Sequence, residues 1–229
     1  MRRGLFVTGT DTGVGKTLAT SALLHALRAA GEAAQPMKPI AAGAERRDGH
    51  WVNEDSVALA QAAGFGLDSL EEITPILLRE PMSPNIAADR EGRRIALDAV
   101  IEGLARVPRE RFVVVEGVGG FMVPLGEGLD TVHLAQAMAL PVVMVVGLRL
   151  GCLNHALLTA HAIDAARLPL AGWIANAIDP DMLVPDENVE TLRTRLKAPL
   201  LARFPWQAPP DARALAALID VQPLVGTNA

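Results

Sequence analysis

Residues 6–17, "FVTGTDTGVGKT", decide the fold, because they combine a short apolar strand, a glycine-spaced loop and the start of a helix. The same order of elements carries the phosphate-binding loop G-x-x-x-x-G-K-[ST]. Here five residues rather than four separate Gly9 from Gly15. Backbone N–H groups at a helix start attract anions. We therefore expect Lys16 to reach the β- and γ-phosphates of a nucleotide and the Thr17 hydroxyl to bind Mg²⁺.

Beyond this stretch, short apolar runs alternate with segments of helical period, a pattern that is typical of βαβ units and a mostly parallel sheet. The sequence therefore predicts one P-loop NTPase-like α/β domain over residues 1–229, with helices on both faces of the central sheet. We expect strands at 4–8, 34–39, 112–116, 141–147, 170–175 and 200–204, and helices at 16–30, 54–63, 95–106, 130–138, 152–167, 186–196 and 211–220. Residues 74–94 contain three prolines and no clear period, which predicts a long functional loop.

Composition narrows the classes of function. The chain of 229 residues is 50% hydrophobic and has a net charge of −5, so it lacks the basic excess of a general nucleic-acid binder. Its longest apolar tract, 137–148, contains Pro141 and is too short to cross a membrane. Cys152 is the only cysteine, which excludes an intrachain disulfide and a cysteine-clustered zinc site. We expect a cytoplasmic protein without nucleic-acid or membrane partners.

Lysine is rare in this chain, since only Lys16, Lys38 and Lys197 are found among its 21 basic residues. Lysine is a compact charge on a flexible stem, and it fits places that the planar guanidinium of arginine does not. Lys38 follows the second predicted strand and so shares a sheet edge with Lys16. We interpret Lys38 as a site residue rather than as a solvated charge at a strand end. Lys197 fits the ordinary pattern of a cation near a helix C-terminus.

Two groups of carboxylates are candidates for the metal side of the site. Glu116 ends an apolar strand and precedes a glycine-rich turn, and a carboxylate there in a P-loop protein is the usual partner of Mg²⁺. Asn53, Glu54 and Asp55 begin a predicted helix, where taken alone they fit ordinary capping and helix-dipole roles. The five histidines show no spacing that is typical of a metal site.

Eight stretches, in order along most of the chain, resemble the dethiobiotin synthetase family of ATP-dependent P-loop enzymes. They are "VTGTDTGVGKT", "KPIAAG", "NEDSVAL", "EPMSP", "VEGVGG", "VVGLRLGCLNHALLT", "LAGWIAN" and "FPW". The phosphate loop of this family is G-T-D-T-x-V-G-K-T, so the additional residue after Gly9 is the family's own form. Eight ordered motifs are far more specific than the phosphate loop alone.

The resemblance implies a ligase of biotin biosynthesis that acts on 7,8-diaminononanoate, CO₂ or bicarbonate, and ATP. One amine becomes a carbamate, ATP phosphorylates it to a mixed anhydride, and the second amine closes the ureido ring of dethiobiotin with release of phosphate. Phosphoryl transfer depends mainly on positioning and charge neutralisation. Lys16, Lys38 and Mg²⁺ would supply the positive charge.

The same resemblance implies the site residues. Lys38 and Lys16 are the catalytic residues, and Thr17, Asp55 and Glu116 are the Mg²⁺ ligands. The nucleotide-binding residues are Gly13, Val14, Gly15, Lys16, Thr17, Leu18, Asp55, Glu116, Gly117, Val118, Gly119, Asn176, Pro205 and Trp206. The substrate-binding residues are Thr12, Lys38, Ala42, Ser83, Gly151, Cys152, Leu153 and Asn154. The last four of these are contributed by the neighbouring subunit in the family, which predicts a homodimer with sites at its interface.

One residue departs from the family pattern K-P-x-A-S-G, in which a serine precedes the glycine. This chain has Ala42 at that place, so a hydroxyl that contacts the substrate is missing. We expect a water molecule or a backbone group to take its place, without a change in the reaction.

Two other classes of protein share the predicted fold. A partition or septum-site switch ATPase, which binds protein, DNA or membrane partners, typically carries a lysine early in the phosphate loop, where this chain has Asp11. An amide-forming ligase of cobalamin synthesis usually carries an added glutamine-hydrolysing domain, for which 229 residues leave no room. We interpret Cys152 as a small buried or interface residue rather than as the nucleophile of such a domain.

Overall fold

The structure is a computed structural model that describes residues 2–226. Its strands are β1 (Gly4–Gly9), β2 (Ala34–Met37), β3 (Ile40–Ala42), β4 (Glu45–Arg47), β5 (His50–Val52), β6 (Ile76–Leu78), β7 (Phe112–Glu116), β8 (Pro124–Gly126), β9 (Leu129–Asp130), β10 (Val142–Leu148), β11 (Leu170–Ala177) and β12 (Leu200–Phe204). Its helices are α1 (Lys16–Ala29), α2 (Glu54–Ala63), α3 (Leu70–Ile73), α4 (Pro84–Arg90), α5 (Leu97–Arg106), α6 (Thr131–Met138), α7 (Cys152–Ala165), α8 (Pro185–Arg195), α9 (Ala212–Leu215) and α10 (Gln222–Val225).

Six strands form the central sheet in the order β12-β11-β10-β1-β7-β2, and every neighbouring pair is parallel. β1 lies inside the sheet, because Phe6 pairs with Val142 of β10 on one side and with Val115 of β7 on the other. Parallel strands end along one edge of a sheet, which is where ligands bind in open α/β folds. The predicted fold class is confirmed, and so are all six predicted strands.

Helices cover both faces of this sheet, and alternate residues of one strand enter two different cores. Leu5 and Val7 of β1 belong to the core that contains Leu23 of α1. Phe6, between them, belongs to the opposite core with Leu134 of α6. All of these side chains are at most 2% exposed. This explains why the sheet strands read as continuous apolar runs rather than as alternating ones.

Three pairs of short strands lie outside the central sheet, and the sequence pattern predicted none of them. β3 pairs with β6 in parallel, while β4 with β5 and β8 with β9 form antiparallel pairs. Strands of two or three residues are too short to show a period, so only the partner alongside defines them. The predicted long loop at 74–94 is therefore wrong in part, since it contains β6 and the helix α4, whose first residue is Pro84.

The helix predicted at 211–220 is only partly formed. α9 is capped by Asp211, but the chain tightens into a 3₁₀ turn at Ala216–Leu218 and is extended at Ile219. Ile219 and Val221 are buried in the core beside α1, so tertiary packing overrides the helix preference of an alanine-rich segment. Within residues 2–226, no helix has the length and apolar content needed to cross a membrane.

A close approach between β11 and β12 gives a test of the packing. A Cβ atom at Gly172 would lie 2.5 Å from Cγ of the buried Leu201. We expect Gly172→Ala to lower the free energy of unfolding by about 1–3 kcal/mol, as overpacking does.

The matched control for this substitution is Gly103→Ala within α5. The nearest atom to a Cβ there is the flexible end of the Met37 side chain, at 3.3 Å, which can move aside. In a helix interior, alanine is more stable than glycine by about 1 kcal/mol. Denaturant unfolding of both variants measures the difference. Equal stability of the two would contradict the packing of β11 against β12.

Candidate active site

The loop between β1 and α1 forms an open anion-binding end of a helix. Gly15 is the N-cap of α1 with φ 82°, no side chain caps the helix, and its first turn contains no acidic residue. A Cβ atom at Gly15 would collide with the amide of Asn176, so both the backbone conformation and the space require glycine. Free N–H groups and the helix dipole at this end favour a bound anion such as a phosphate group.

Lys38 holds the two predicted carboxylates together at the neighbouring strand ends. β2 and β7 are adjacent, and Lys38 and Glu116 follow or end them. The ammonium of Lys38 donates to Glu116 Oε1 at 2.5 Å, to Asp55 Oδ2 at 3.0 Å and to the carbonyl of Gly117 at 3.3 Å. Lys38 is 3% exposed and Glu116 is fully buried. Burial alone would lower the pKa of Lys38, but Glu116 and Asp55 hold this pKa above its usual value. Lys38 is therefore charged.

Lys16 provides a second cation of different character. Its ammonium donates to the main-chain carbonyl of Asp11 at 3.1 Å. Burial lowers the pKa of Lys16 to about 8, while the charge of Glu116 opposes this change and that of Lys38 adds to it. Lys16 is thus mostly protonated at neutral pH and loses its charge under mildly alkaline conditions.

The side-chain oxygens of Thr17, Asp55 and Glu116 form a cluster beside these lysines. Thr17 Oγ1 is 2.8 Å from Asp55 Oδ1 and 2.9 Å from Glu116 Oε1, yet a hydroxyl has one hydrogen and can donate to only one of them. Glu116 Oε2 is buried and has no hydrogen-bond partner. Lys38 and the hydrogen bond from Thr17 help to keep the pKa of Asp55 low against the opposing effect of burial. Clustered anionic oxygens of this kind suit a hard cation.

The protein alone does not form a complete metal cage here. Over residues 2–226, no group of three or more His, Cys, Asp or Glu side chains could hold a metal ion. Mg²⁺ is usually bound through one or two carboxylates together with water and the phosphates of a substrate. The two carboxylates, the Thr17 hydroxyl and the unpartnered oxygen of Glu116 fit that kind of site.

These groups lie at one side of an open cavity of about 910 Å³. The predicted residues that line it are Thr12, Gly13, Gly15, Lys16, Thr17, Lys38, Ala42, Asp55, Ser83, Glu116, Val118 and Gly119. The wall also contains apolar side chains, among them Met82, Met122 and Pro124. The cavity can therefore accept a ligand that has an anionic or polar end and a carbon chain.

A second pocket, of about 200 Å³, lies between α1 and the ends of β11 and β12. It is lined by Leu18, Asn176, Pro205 and Trp206, which the family resemblance places among the nucleotide-binding residues. The amide nitrogen of Asn176 donates to the carbonyl of Val14 at 2.9 Å, so its oxygen remains available as an acceptor. A slot with mostly apolar side chains and an acceptor oxygen from Asn176 suits a flat ring that carries an amino group.

Not every predicted residue lines a pocket. Val14 is buried, and its carbonyl fixes Asn176 instead. Gly117 contributes its carbonyl to Lys38. Residues 151–154, at the start of α7, are not among the residues that line either cavity. Within this chain, the structure does not bring them to the candidate site.

The structure also adds residues that sequence reasoning missed. Met122 and Val123, after the glycine-rich turn, line the large cavity, and Gln207 lines the small one. Arg149, directly after β10, forms an ion pair with Asp11 of the phosphate loop at 2.6 Å. All four residues lie in or next to the sequence motifs described above. Their residue types do not indicate a role in a site, because that role depends on neighbours that are distant in sequence.

Comparisons with known proteins identify the family of the chain. A family model described as an AAA domain matches residues 3–213. The protein of Nitrosospira multiformis named ATP-dependent dethiobiotin synthetase BioD is 50% identical over 222 residues, which cover 96% of this chain and 96% of that protein. The protein of the same name from Aromatoleum aromaticum is 50% identical over 218 residues, which cover 94% of this chain and 96% of that protein.

A solved structure supports the fold from a greater distance. The signal recognition particle receptor FtsY from Elizabethkingia anophelis has a TM-score of 0.50 at 14% identity over 99% of this chain. This chain spans 65% of the length of that FtsY chain. Identity this low shows the shared P-loop NTPase fold alone. The two curated relatives are 50% identical to this chain over nearly their full length, which shows the family as well as the fold. The chain belongs to the ATP-dependent dethiobiotin synthetase family.

Proposed function

We propose that the chain is an ATP-dependent dethiobiotin synthetase, a cyclo-ligase that converts 7,8-diaminononanoate, CO₂ and ATP into dethiobiotin, ADP and phosphate. The observation that carries this proposal is the meeting of Lys16, Lys38 and the oxygens of Thr17, Asp55 and Glu116 in one cavity beside an open helix end. The names of the two relatives support the same reaction. No observation favours the switch ATPase.

ATP would span the two pockets. The phosphates fit the N–H groups of the loop and the ammonium of Lys16, because that helix end is uncapped. The adenine fits the small pocket beside Pro205 and Trp206. There the free oxygen of Asn176 can accept a hydrogen bond from the amino group of adenine, which guanine does not offer at the same position.

Thr17, Asp55 and Glu116 would hold Mg²⁺ together with phosphate oxygens. When bound, Mg²⁺ would neutralise charge that builds on the transferred phosphoryl group. The fit rests on the clustered oxygens and on the buried oxygen of Glu116 that has no partner.

The diamine and its carbamate would occupy the large cavity. One amine adds to CO₂ and loses a proton, which gives a carbamate. A carbamate oxygen then attacks the γ-phosphorus of ATP, and ADP leaves. The second amine attacks the carbamate carbon and loses a proton, the bond from this carbon to the phosphate oxygen breaks, and phosphate departs as the ureido ring closes.

Two lysines divide the electrostatic work in these steps. Lys38 is charged and lies at the junction of the cavity and the carboxylates, so it can orient the carbamate next to the phosphate. Lys16 lies at the phosphate loop and can stabilise charge on the transferred group. Fixed positive groups aimed at developing negative charge give the largest rate effects of this kind.

We also infer a homodimer, in which residues 151–154 of one subunit reach the substrate site of its partner. Two observations support it. These residues do not line the cavities of their own chain, and apolar side chains beside them are exposed, with Leu150 at 95% and Leu158 at 61%. Exposed apolar groups near one another are typical of an interaction surface.

The cytoplasmic location of the protein stays a prediction, which cell fractionation would test.

The function is tested with purified protein, Mg-ATP, ¹³C-bicarbonate and the diamine. We expect one phosphate per dethiobiotin, release of phosphate only when the diamine is present, and ¹³C in the ureido carbon. ATP hydrolysis that needs no diamine and that DNA or lipid vesicles stimulate would instead support the switch ATPase.

The homodimer is tested by mass photometry, which should show particles of two chains. Activity per chain should fall when dilution separates the two subunits. A fully active monomer would contradict the shared site.

Lys38→Met tests the role of the buried cation. The variant leaves Glu116 buried without a cationic partner, so we expect the free energy of unfolding to fall by about 3–5 kcal/mol. We expect kcat to fall by about 100- to 1000-fold, as after loss of one group that stabilises developing charge. ATP should still bind, because Lys16 and the loop remain.

Lys197→Met is the matched control, since Lys197 is exposed and precedes the first residue of β12, at the opposite end of that strand from the site. Its stability and kcat should equal those of the native protein. Steady-state kinetics at saturating ATP, on samples shown to be folded by their denaturation curves, decide the matter. Native kcat in Lys38→Met would exclude a catalytic role for this lysine.

The pKa of Lys16, lowered to about 8, predicts how ATP binding depends on pH. Well below pH 8 the ammonium is already charged, so binding takes up almost no proton. Above pH 8 the free protein holds neutral Lys16, and ATP favours the charged form, so binding takes up a proton and weakens by up to about tenfold per pH unit.

Calorimetry at pH 8.5 in two buffers of different ionisation enthalpy measures this uptake. Lys16→Arg is the control, because arginine stays protonated at this pH. The proton uptake per bound nucleotide should vanish in that variant. Uptake that is absent from the native protein, or unchanged in the variant, would refute the assignment to Lys16.

A further inference from the structure

Asp11 is a charged residue of the phosphate loop that the proposed reaction does not use. Its carboxylate accepts a hydrogen bond from the backbone N–H of Thr12 at 2.8 Å and another from the guanidinium of Arg149 at 2.6 Å. Its main-chain carbonyl accepts from the ammonium of Lys16 at 3.1 Å. Asp11 thus joins a neighbouring strand end, the loop itself and a cation of the phosphate site.

Arg149 reaches Asp11 from a firmly held position. It directly follows β10, and its carbonyl accepts a hydrogen bond from the N–H of Cys152, the first residue of α7, at 3.0 Å. β10 holds the loop at a second point, because the carbonyl of Val145 accepts from the N–H of Thr10 at 3.0 Å. The position of Arg149 is therefore set by the sheet rather than by the loop that it contacts.

A carboxylate in this place is a problem for a nucleotide site. Asp11 is negative and lies within the loop that should receive the phosphates of ATP, so it would repel them. It would also attract the ammonium of Lys16, which already touches its backbone. The guanidinium of Arg149 neutralises the carboxylate of Asp11. It thereby counteracts both the repulsion of the phosphates and the attraction of Lys16.

The ion pair between Arg149 and Asp11 should contribute little to the stability of the fold. The side chains of Arg149 and Asp11 are 42% and 45% exposed, and ion pairs this exposed contribute little to the free energy of unfolding. Its effect should therefore be found in nucleotide binding.

We propose that Arg149 is a positioning residue of the nucleotide site, which neutralises Asp11 and so keeps Lys16 available for the phosphates. The proposal rests on the proposed function only in taking ATP as the nucleotide. It concerns binding and not the chemistry of the diamine. Arg149 acts through Asp11 and not by contact with ATP.

The test measures the Kd of a non-hydrolysable ATP analogue with Mg²⁺, together with KM for ATP and kcat. Arg149→Gln should raise Kd and KM by about 10- to 100-fold, the range expected when a charged hydrogen-bonding partner is lost, with kcat at saturating ATP largely kept. Arg149→Lys should restore much of the binding. The thermal midpoint should stay within about 4 °C of the native value.

The deciding variant is the double substitution Asp11→Asn with Arg149→Gln. It removes the repulsive carboxylate along with its partner, so Kd should return close to that of the native protein. A double variant as weak as Arg149→Gln would overturn the proposal, because Arg149 would then contact the nucleotide itself. Native binding by Arg149→Gln would overturn it as well.

Arg3→Gln is the matched control, since Arg3 forms an ion pair with Glu32 at 2.6 Å before the first residue of β1, away from the strand ends of the site. Its Kd should equal the native value. Native protein that binds the analogue but makes no dethiobiotin would refute the proposed function and leave this inference intact. Native protein that binds no ATP analogue would refute both.

Discussion

The ion pair between Lys38 and Glu116 is the interaction on which the site depends. It joins the ends of two adjacent strands, places a cation in the wall of the cavity and fixes one carboxylate oxygen while the other remains without a partner. A buried pair of this kind costs desolvation, and a well-packed apolar pair could stabilise the fold equally well. Its presence at the strand ends is therefore best explained by the chemistry that the site performs.

The parallel sheet is what allows so few charges to meet. Each strand of the central sheet runs in the same direction, so the phosphate loop, Lys38, Glu116, Arg149 and Asn176 follow or end different strands along one edge. The strands themselves are apolar and covered by helices on both faces. Polar groups at their carboxyl ends can then be held rigidly by a core that contains none of them.

The phosphate loop shows how local and distant constraints combine. Gly15 needs a positive φ for the helix start, and it also needs to lack a side chain because Asn176 packs against it from β11. Asp11 accepts a hydrogen bond from an N–H group within the loop, while its charge is balanced by Arg149, which directly follows β10. Residues more than a hundred positions away in sequence thus contact the loop and help to define its conformation.

The sequence by itself determined the fold class, the six sheet strands and the placement of Lys16, Lys38 and Glu116 at the candidate site, because those depend on hydrophobic period and on residue type at strand ends. Asp55 needed the family resemblance, since a helix start explains a carboxylate equally well. Only the tertiary structure decided that Met122, Gln207 and Arg149 face the site, and that 74–94 contains a strand and a helix. Contacts between distant segments define these features, and no periodicity along the chain records which segments will meet.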